Sequence, residues 1–188
     1  MTSKPKCCIP VVVKAPPTVP LVSFVGKPGA GKTTFLEKLI PELKGRGYRV
    51  GTIKHDRGGF QMDHPGKDTW RHAQAGSDVV VISSPWQVAM IRKVERELML
   101  DEVVASMPQV DIILVEGYKQ ARKPKIEVSR RALGTDLLCD GPDLVALVAD
   151  HEDGPSVPRF GLDDVRGVAD LIESRFIVTT AVGQSQGG

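Results

Sequence analysis

The chain has 188 residues, with 25 Lys+Arg against 23 Asp+Glu, a formal charge of +2, and 41% hydrophobic and 26% charged positions. That balance describes one globular domain with a sizeable core and excludes a disordered chain. No apolar run approaches the roughly 18 residues that a membrane helix needs, so no membrane association is expected.

The near-neutral total conceals a gradient. Residues 1–20 carry Lys4, Lys6 and Lys14 without an acid (+3), residues 21–131 hold 19 bases and 13 acids (+6), and residues 132–188 hold 3 bases and 10 acids (−7). Residues 1–20 also hold Pro5, Pro10, Pro16, Pro17 and Pro20 and read as a flexible extension, since proline blocks helix and sheet pairing alike. Its apolar part, Val11-Val12-Val13, is too short for a secretory signal. Cys7, Cys8 and Cys139 are too few for a disulfide framework, and the Cys7-Cys8 pair has no third metal ligand beside it, so a cytoplasmic protein is expected. Residues 21–177 are expected to form the folded domain and 178–188 a flexible tail.

Leu21-Val22-Ser23-Phe24-Val25 is a short β-rich run ending at Gly26. Helical spacing of Phe35, Leu36, Leu39, Ile40 and Leu43 predicts a helix from Lys32 to about Lys44, with Pro41 expected to kink it or shift its end. A strand over 49–54, a polar loop over 55–66 and a short helix over 67–75 follow. Residues 78–82 and 87–91 read as strands, 94–107 as an amphipathic helix, and 111–115, 126–128 and 144–149 as strands. A closing helix begins at Asp163 as its N-cap, with Val165, Val168, Ala169, Ile172 and Phe176 on one face. Strands free of polar residues are buried on both faces. The expected architecture is therefore α/β, a three-layer sandwich with a largely parallel sheet.

Gly26-Lys27-Pro28-Gly29-Ala30-Gly31-Lys32-Thr33 fits G-x-x-x-x-G-K-[ST] between a strand and a helix, the arrangement of a P-loop NTPase core. Glycines let successive amides converge on a polyphosphate, and the helix N-terminus adds positive charge behind them. Lys32 is expected on the β- and γ-phosphates, Thr33 on Mg²⁺, and Thr34 beside them as a further nucleotide contact. A magnesium site also needs carboxylates: Glu116 at the end of strand 111–115 and Asp56 past the second strand are the candidates. Lys32 and Glu116 are the candidates for catalytic roles. Asp111, at the other end of its strand, is expected to lie far from the phosphates.

Two further stretches concentrate titratable groups. Residues 54–72 hold four bases, three acids and three of the four histidines, among them His55, Lys67, Asp68 and Arg71 as a candidate ligand or partner dock. The spacing of His55, His64 and His72 matches no compact metal pattern. Residues 116–131 carry six bases against Glu116 and Glu127, and Lys119, Lys123 and Lys125 form a candidate dock for an anionic ligand. Nucleic acid is not expected, because aromatic residues are nearly absent there.

Together Gly26 to Thr33, Ile53-Lys54-His55, Asp63-His64-Pro65-Gly66-Lys67-Asp68, Arg71, Ala75-Gly76, Glu116-Gly117-Tyr118-Lys119 and Lys123 to Val128 resemble the MobB family, the molybdopterin-guanine dinucleotide biosynthesis adaptor proteins. The resemblance covers roughly residues 20–175. It implies a P-loop GTP-binding domain over 21–177, a homodimer, bound GTP with Mg²⁺, and weak GTP hydrolysis. It also implies service to a MobA-type guanylyltransferase that attaches GMP to molybdenum-bound molybdopterin. The family's histidine-rich run after Lys-His is replaced here by Arg57-Gly58-Gly59, which weakens a metal role for that loop. Asp150 ends a strand at the correct edge to accept from the guanine N1 and N2 donors, or is one of three loop acids with Glu152 and Asp153. Two other readings stay open: a small-metabolite kinase with Asp56 as base and 116–131 as substrate dock, and a metallochaperone-type GTPase using the histidines.

Overall fold

Apolar at every position but one, Leu21–Val25 (β1) is buried along its whole length and lies in the middle of a sheet. In the computed structural model residues 19–177 are described, so the expectations for the tail and, but for residues 19 and 20, for the extension lie outside the described residues. The chain divides into two compact units, one of residues up to 53 and from 108 onward, the other of residues 54–107.

The first unit holds the sheet. Its strands after β1 are β2 (Val50–Lys54), whose last residue falls at the division, then β5 (Ile112–Glu116), β6 (Lys125–Ser129), β7 (Leu144–Ala149) and β8 (Arg159–Phe160). They lie in the order β2-β5-β1-β6-β7-β8, and β1 pairs in parallel with both β5 and β6. The β6–β7 and β7–β8 pairs are parallel too. Val22 and Phe24 face a core shared with Ile112, Leu114, Ile126 and Val128, while Leu21, Val25, Ile113 and Val115 on the opposite face are equally buried. Burial on both faces is what a largely parallel, three-layer α/β sheet requires, and that expectation stands.

Helix α1 (Lys32–Gly45) places Phe35, Leu36, Leu39 and Leu43 in the core, each such side chain stabilising the fold by about 1.5–3 kcal/mol. It runs on past Pro41, losing only the bond that a Pro N–H would have made. Gly47, at φ 93, ends it: the Gly47 amide donates to Lys44 O and the Tyr48 amide to Leu43 O, a left-handed C-terminal cap. Helix α4 (Val165–Ile172) adds Val168, Ala169 and Ile172 to the same core and continues as a π-helical turn over Glu173–Ile177. Arg46 ties the two helices by pairing with Glu42, Asp170 and Glu173, and those carboxylates raise its pKa further. The N-cap is Asp164, which accepts from the Gly167 amide, and not Asp163 as expected. Asp163 pairs with Lys38 instead.

The second unit holds α2 (Asp68–Gln74), β3 (Val79–Ser83), β4 (Val88–Arg92) and α3 (Leu100–Ala105). Both strands expected here form, and one expectation changes. The strands β3 and β4 form a separate antiparallel hairpin, and most of their apolar side chains are exposed. The helix expected over 94–107 is confined to 100–105. Its start is set by Glu102, which accepts from the Met99 amide and from both terminal nitrogens of Arg96; these bonds hold its pKa down to about 2. Residues 94–99 are irregular, with a bend at 95–96, rather than helical.

Candidate functional site

The chain leaves β1 through a contact only glycine permits. Gly26 has φ 145, and a Cβ there would lie 2.2 Å from the Val128 carbonyl oxygen. At the other end of the loop Gly31, at φ 96 and ψ 19, is the left-handed residue from which α1 departs. Between them the Lys32 ammonium folds back on the loop, donating to Gly26 O at 3.1 Å and Lys27 O at 3.0 Å. The first-turn amides of a helix lack intrahelical acceptors. Gly26 to Thr34 therefore concentrates amide donors and the Lys32 ammonium at the carboxyl end of β1, the chemistry a polyphosphate requires.

Pairing of Phe24 with Glu116 brings the end of β5 level with this loop. Thr33 Oγ1 lies 3.0 and 3.1 Å from the two Glu116 carboxylate oxygens. A hydroxyl and a carboxylate are hard oxygen donors, and a set of two suits Mg²⁺, which usually completes its shell with phosphate oxygens and water. Among the described residues no three His, Cys, Asp or Glu side chains gather into a metal cage. Past Glu116 the backbone turns through Gly117 at φ 107 and Tyr118 at φ 46, a left-handed non-glycine residue that costs roughly 1 kcal/mol or more.

A loop over residues 130–139 is fastened to the same end of the sheet by charged groups. The Arg130 Nε donates to Ala30 O at 3.0 Å, and the Lys27 ammonium to Leu133 O at 2.9 Å and Gly134 O at 3.3 Å. Asp150 Oδ1 accepts from the Arg131 amide at 2.7 Å, which lowers its pKa. Glu127, 1% exposed, accepts from the Leu138 and Cys139 amides at 2.8–3.0 Å. Burial raises the Glu127 pKa against the pull of those amides and of Lys119 and Lys27. Ser129 and His151, both buried, are joined at 2.8 Å.

The candidate docks are divided by the fold. In the first unit Lys119 is exposed and Lys123 half-buried. Lys125 is withdrawn from the expected basic surface: its buried ammonium binds Ala121 O, Lys123 O and Asp143. In the second unit Lys67 precedes α2, and Asp68 and Arg71 form an exposed pair at 3.9 Å on it. There His55 Nε2 lies 2.6 Å from Glu97 Oε1, and Asp56 Oδ1 accepts from the Gly58 amide. Asp111 binds the Arg49 amide and guanidinium at the opening of β5, a structural clamp. Arg130 and Glu127 were hidden in a run of charge. The signal for Arg130 was its place just past β6, the strand beside β1.

The parallel sheet with a glycine-rich phosphate loop between β1 and α1 defines a P-loop NTPase-like α/β protein. Residues 21–150 match the family described as MobB, molybdopterin guanine dinucleotide synthesis protein B, and the chain belongs to that family. It is 35% identical over 161 residues to the molybdopterin-guanine dinucleotide biosynthesis adapter protein of Escherichia coli strain K12, covering 82% of this chain and 91% of that one. The adapter protein of that description from Haemophilus influenzae is 34% identical over 158 residues, 83% of this chain and 89% of its own. A crystal structure of molybdopterin-guanine biosynthesis protein B superposes with a TM-score of 0.67 at 30% identity, over 82% of this chain and 98% of that chain.

A carboxyl group whose folded pKa is raised binds more protons in the native state. Its stabilisation is complete below the unfolded pKa and is lost as pH rises through the folded value. The wild-type unfolding midpoint should therefore fall, relative to Glu127→Gln, as pH rises from the ordinary carboxyl range toward neutrality. Parallel pH profiles for the two chains would refute this.

Proposed function

We propose that this chain is a GTP-binding adaptor in molybdopterin guanine dinucleotide biosynthesis, with weak Mg²⁺-dependent GTP hydrolysis. The observation that carries it is the Thr33–Glu116 pair at the mouth of a loop whose lysine is already folded over its carbonyls. Family membership gives the pathway, because the E. coli and H. influenzae relatives are named as adapter proteins of it. The partner would be a MobA-type guanylyltransferase, with molybdopterin at hand.

In this reading the loop amides and Lys32 bind and orient the β- and γ-phosphates. Thr33 and Glu116 would hold Mg²⁺, which when bound neutralises phosphate charge. Glu116 accepts from the Thr33 hydroxyl, and Arg130 bonds a loop carbonyl. Both are positioning contacts, and slow turnover fits a site that binds and presents nucleotide. A homodimer is supported by the hairpin: Val81, Ile82, Val88 and Met90 are each more than half exposed, and a lone two-stranded hairpin is marginal in water.

Labelled GTP should bind the wild type and bind Lys32→Ala at least about tenfold more weakly, since the variant loses a charge-assisted contact. A nucleotide-dependent pull-down should recover the enzyme that makes the guanine dinucleotide cofactor. Equal binding by Lys32→Ala would contradict the phosphate-loop assignment, and stoichiometric phosphate transfer to a small metabolite would favour a kinase. Sedimentation should show a dimer that Val81→Asp or Met90→Asp converts to monomer; a wild-type monomer would remove that part of the proposal.

A further inference from the structure

The order β5-β1-β6 sets Glu116 and Arg130 on opposite sides of the phosphate loop. At one strand spacing each from β1 their strands are about 10 Å apart. The Thr33–Glu116 pair marks the metal end of a bound polyphosphate, so the nucleoside end must leave toward β6. On that side lies a concavity of about 120 Å³ lined by Thr34, Lys38, Val128, Arg130, Leu162 and Asp163. It opens between the start of α1, the carboxyl end of β6 and the loop before α4.

Its walls differ in chemistry. Leu162 is half-buried against the hydrophobic core and offers an apolar surface. Arg130 is held by its bond to Ala30 O and lies against Gly31, so its planar guanidinium is fixed beside the loop. Asp163 is 86% exposed at its side chain and takes the Lys38 ammonium on Oδ1 at 2.7 Å. An exposed pair of this kind contributes little to stability. Asp163 does not cap α4, the role Asp164 fills. A carboxylate has about four acceptor positions, so Asp163 retains capacity beyond Lys38. Asp150 is differently placed: its Oδ1 anchors the 130–139 loop through the Arg131 amide, and it does not line this concavity.

We propose that this concavity receives the ribose and base of the bound nucleotide and that Asp163, rather than Asp150, selects guanine. This inference rests on the nucleotide-binding reading above. Guanine presents two donors side by side, N1–H and the N2 amino group, which one carboxylate accepts together. Adenine presents an acceptor at N1, which a carboxylate repels. Leu162 packs on the base, and Arg130 borders the ribose and α-phosphate beside Thr34.

The test is equilibrium binding of GTP and xanthosine triphosphate to the full chain as wild type, Asp163→Asn, Asp150→Asn and Lys32→Ala. Xanthine carries a carbonyl where guanine carries the N2 amino group, so an Asn amide complements it by donating to that oxygen and accepting from N1–H. Asp163→Asn should lose about ten- to a hundredfold in GTP affinity and gain xanthosine triphosphate, reversing the preference. Gain of a ligand is not produced by misfolding. Asp150→Asn should keep the wild-type preference. An unchanged preference in Asp163→Asn, with GTP binding still dependent on Lys32, overturns this inference alone. A reversal in Asp150→Asn overturns it in favour of that residue. A wild type that binds neither nucleotide overturns the nucleotide-binding reading and this inference with it.

Discussion

Everything at this site depends on a backbone contact. Where β1 ends, the Gly26 backbone approaches the Val128 carbonyl of β6 so closely that no side chain fits between them. That contact fixes where the phosphate loop begins relative to the neighbouring strand, and Gly31 fixes where it gives way to α1. The parallel register does the rest. Phe24 pairs with Glu116, which sets the carboxylate beside Thr33, and Val25 pairs with Glu127, so that β6 runs on past β1 and delivers Arg130 to the loop. Positioning of the Thr33 and Glu116 oxygens and of the guanidinium is thus a consequence of sheet pairing.

Charge organises the surroundings. Lys27, Glu127, Arg130 and Asp150 each bind backbone of a different segment, and through them the phosphate loop and the 130–139 loop share one set of bonds. The arrangement explains how a buried carboxylate is tolerated, since Glu127 accepts from two amides. It also shows why a high local count of basic residues is a poor guide to surface chemistry. Of the six bases in 116–131, Lys125 is buried and Arg130 is committed to a carbonyl, while Lys119 stands exposed.

The fold around the site was legible because its signals are local. Uninterrupted apolar strands imply burial on both faces, and three glycines in register with Lys32 and Thr33 imply a phosphate loop. Glu116 was found by its place at the end of such a strand. What failed was context. The Val- and Ile-rich β3 and β4 were legible as strands, but composition does not distinguish an apolar strand inside a sheet from one in an exposed hairpin. Helical periodicity over 94–107 was overridden by the Arg96–Glu102 bond. Adjacent Asp163 and Asp164 are equivalent as N-caps in sequence, and only the Lys38 pair and the Gly167 amide separate their roles. Asp56 takes the Gly58 amide and His55 lies against Glu97, contacts that no local sequence signal marks.

The central claim is that Thr33 and Glu116 form the protein half of a Mg²⁺ site on a loop that binds GTP. Its most direct test is titration calorimetry of GTP with the full chain, with Mg²⁺ and with chelator, for wild type and Glu116→Gln. The account predicts that Mg²⁺ tightens GTP binding to wild type by about tenfold or more and that Glu116→Gln loses most of this gain while still binding GTP. Equal GTP affinity with and without Mg²⁺ in the wild type would contradict it.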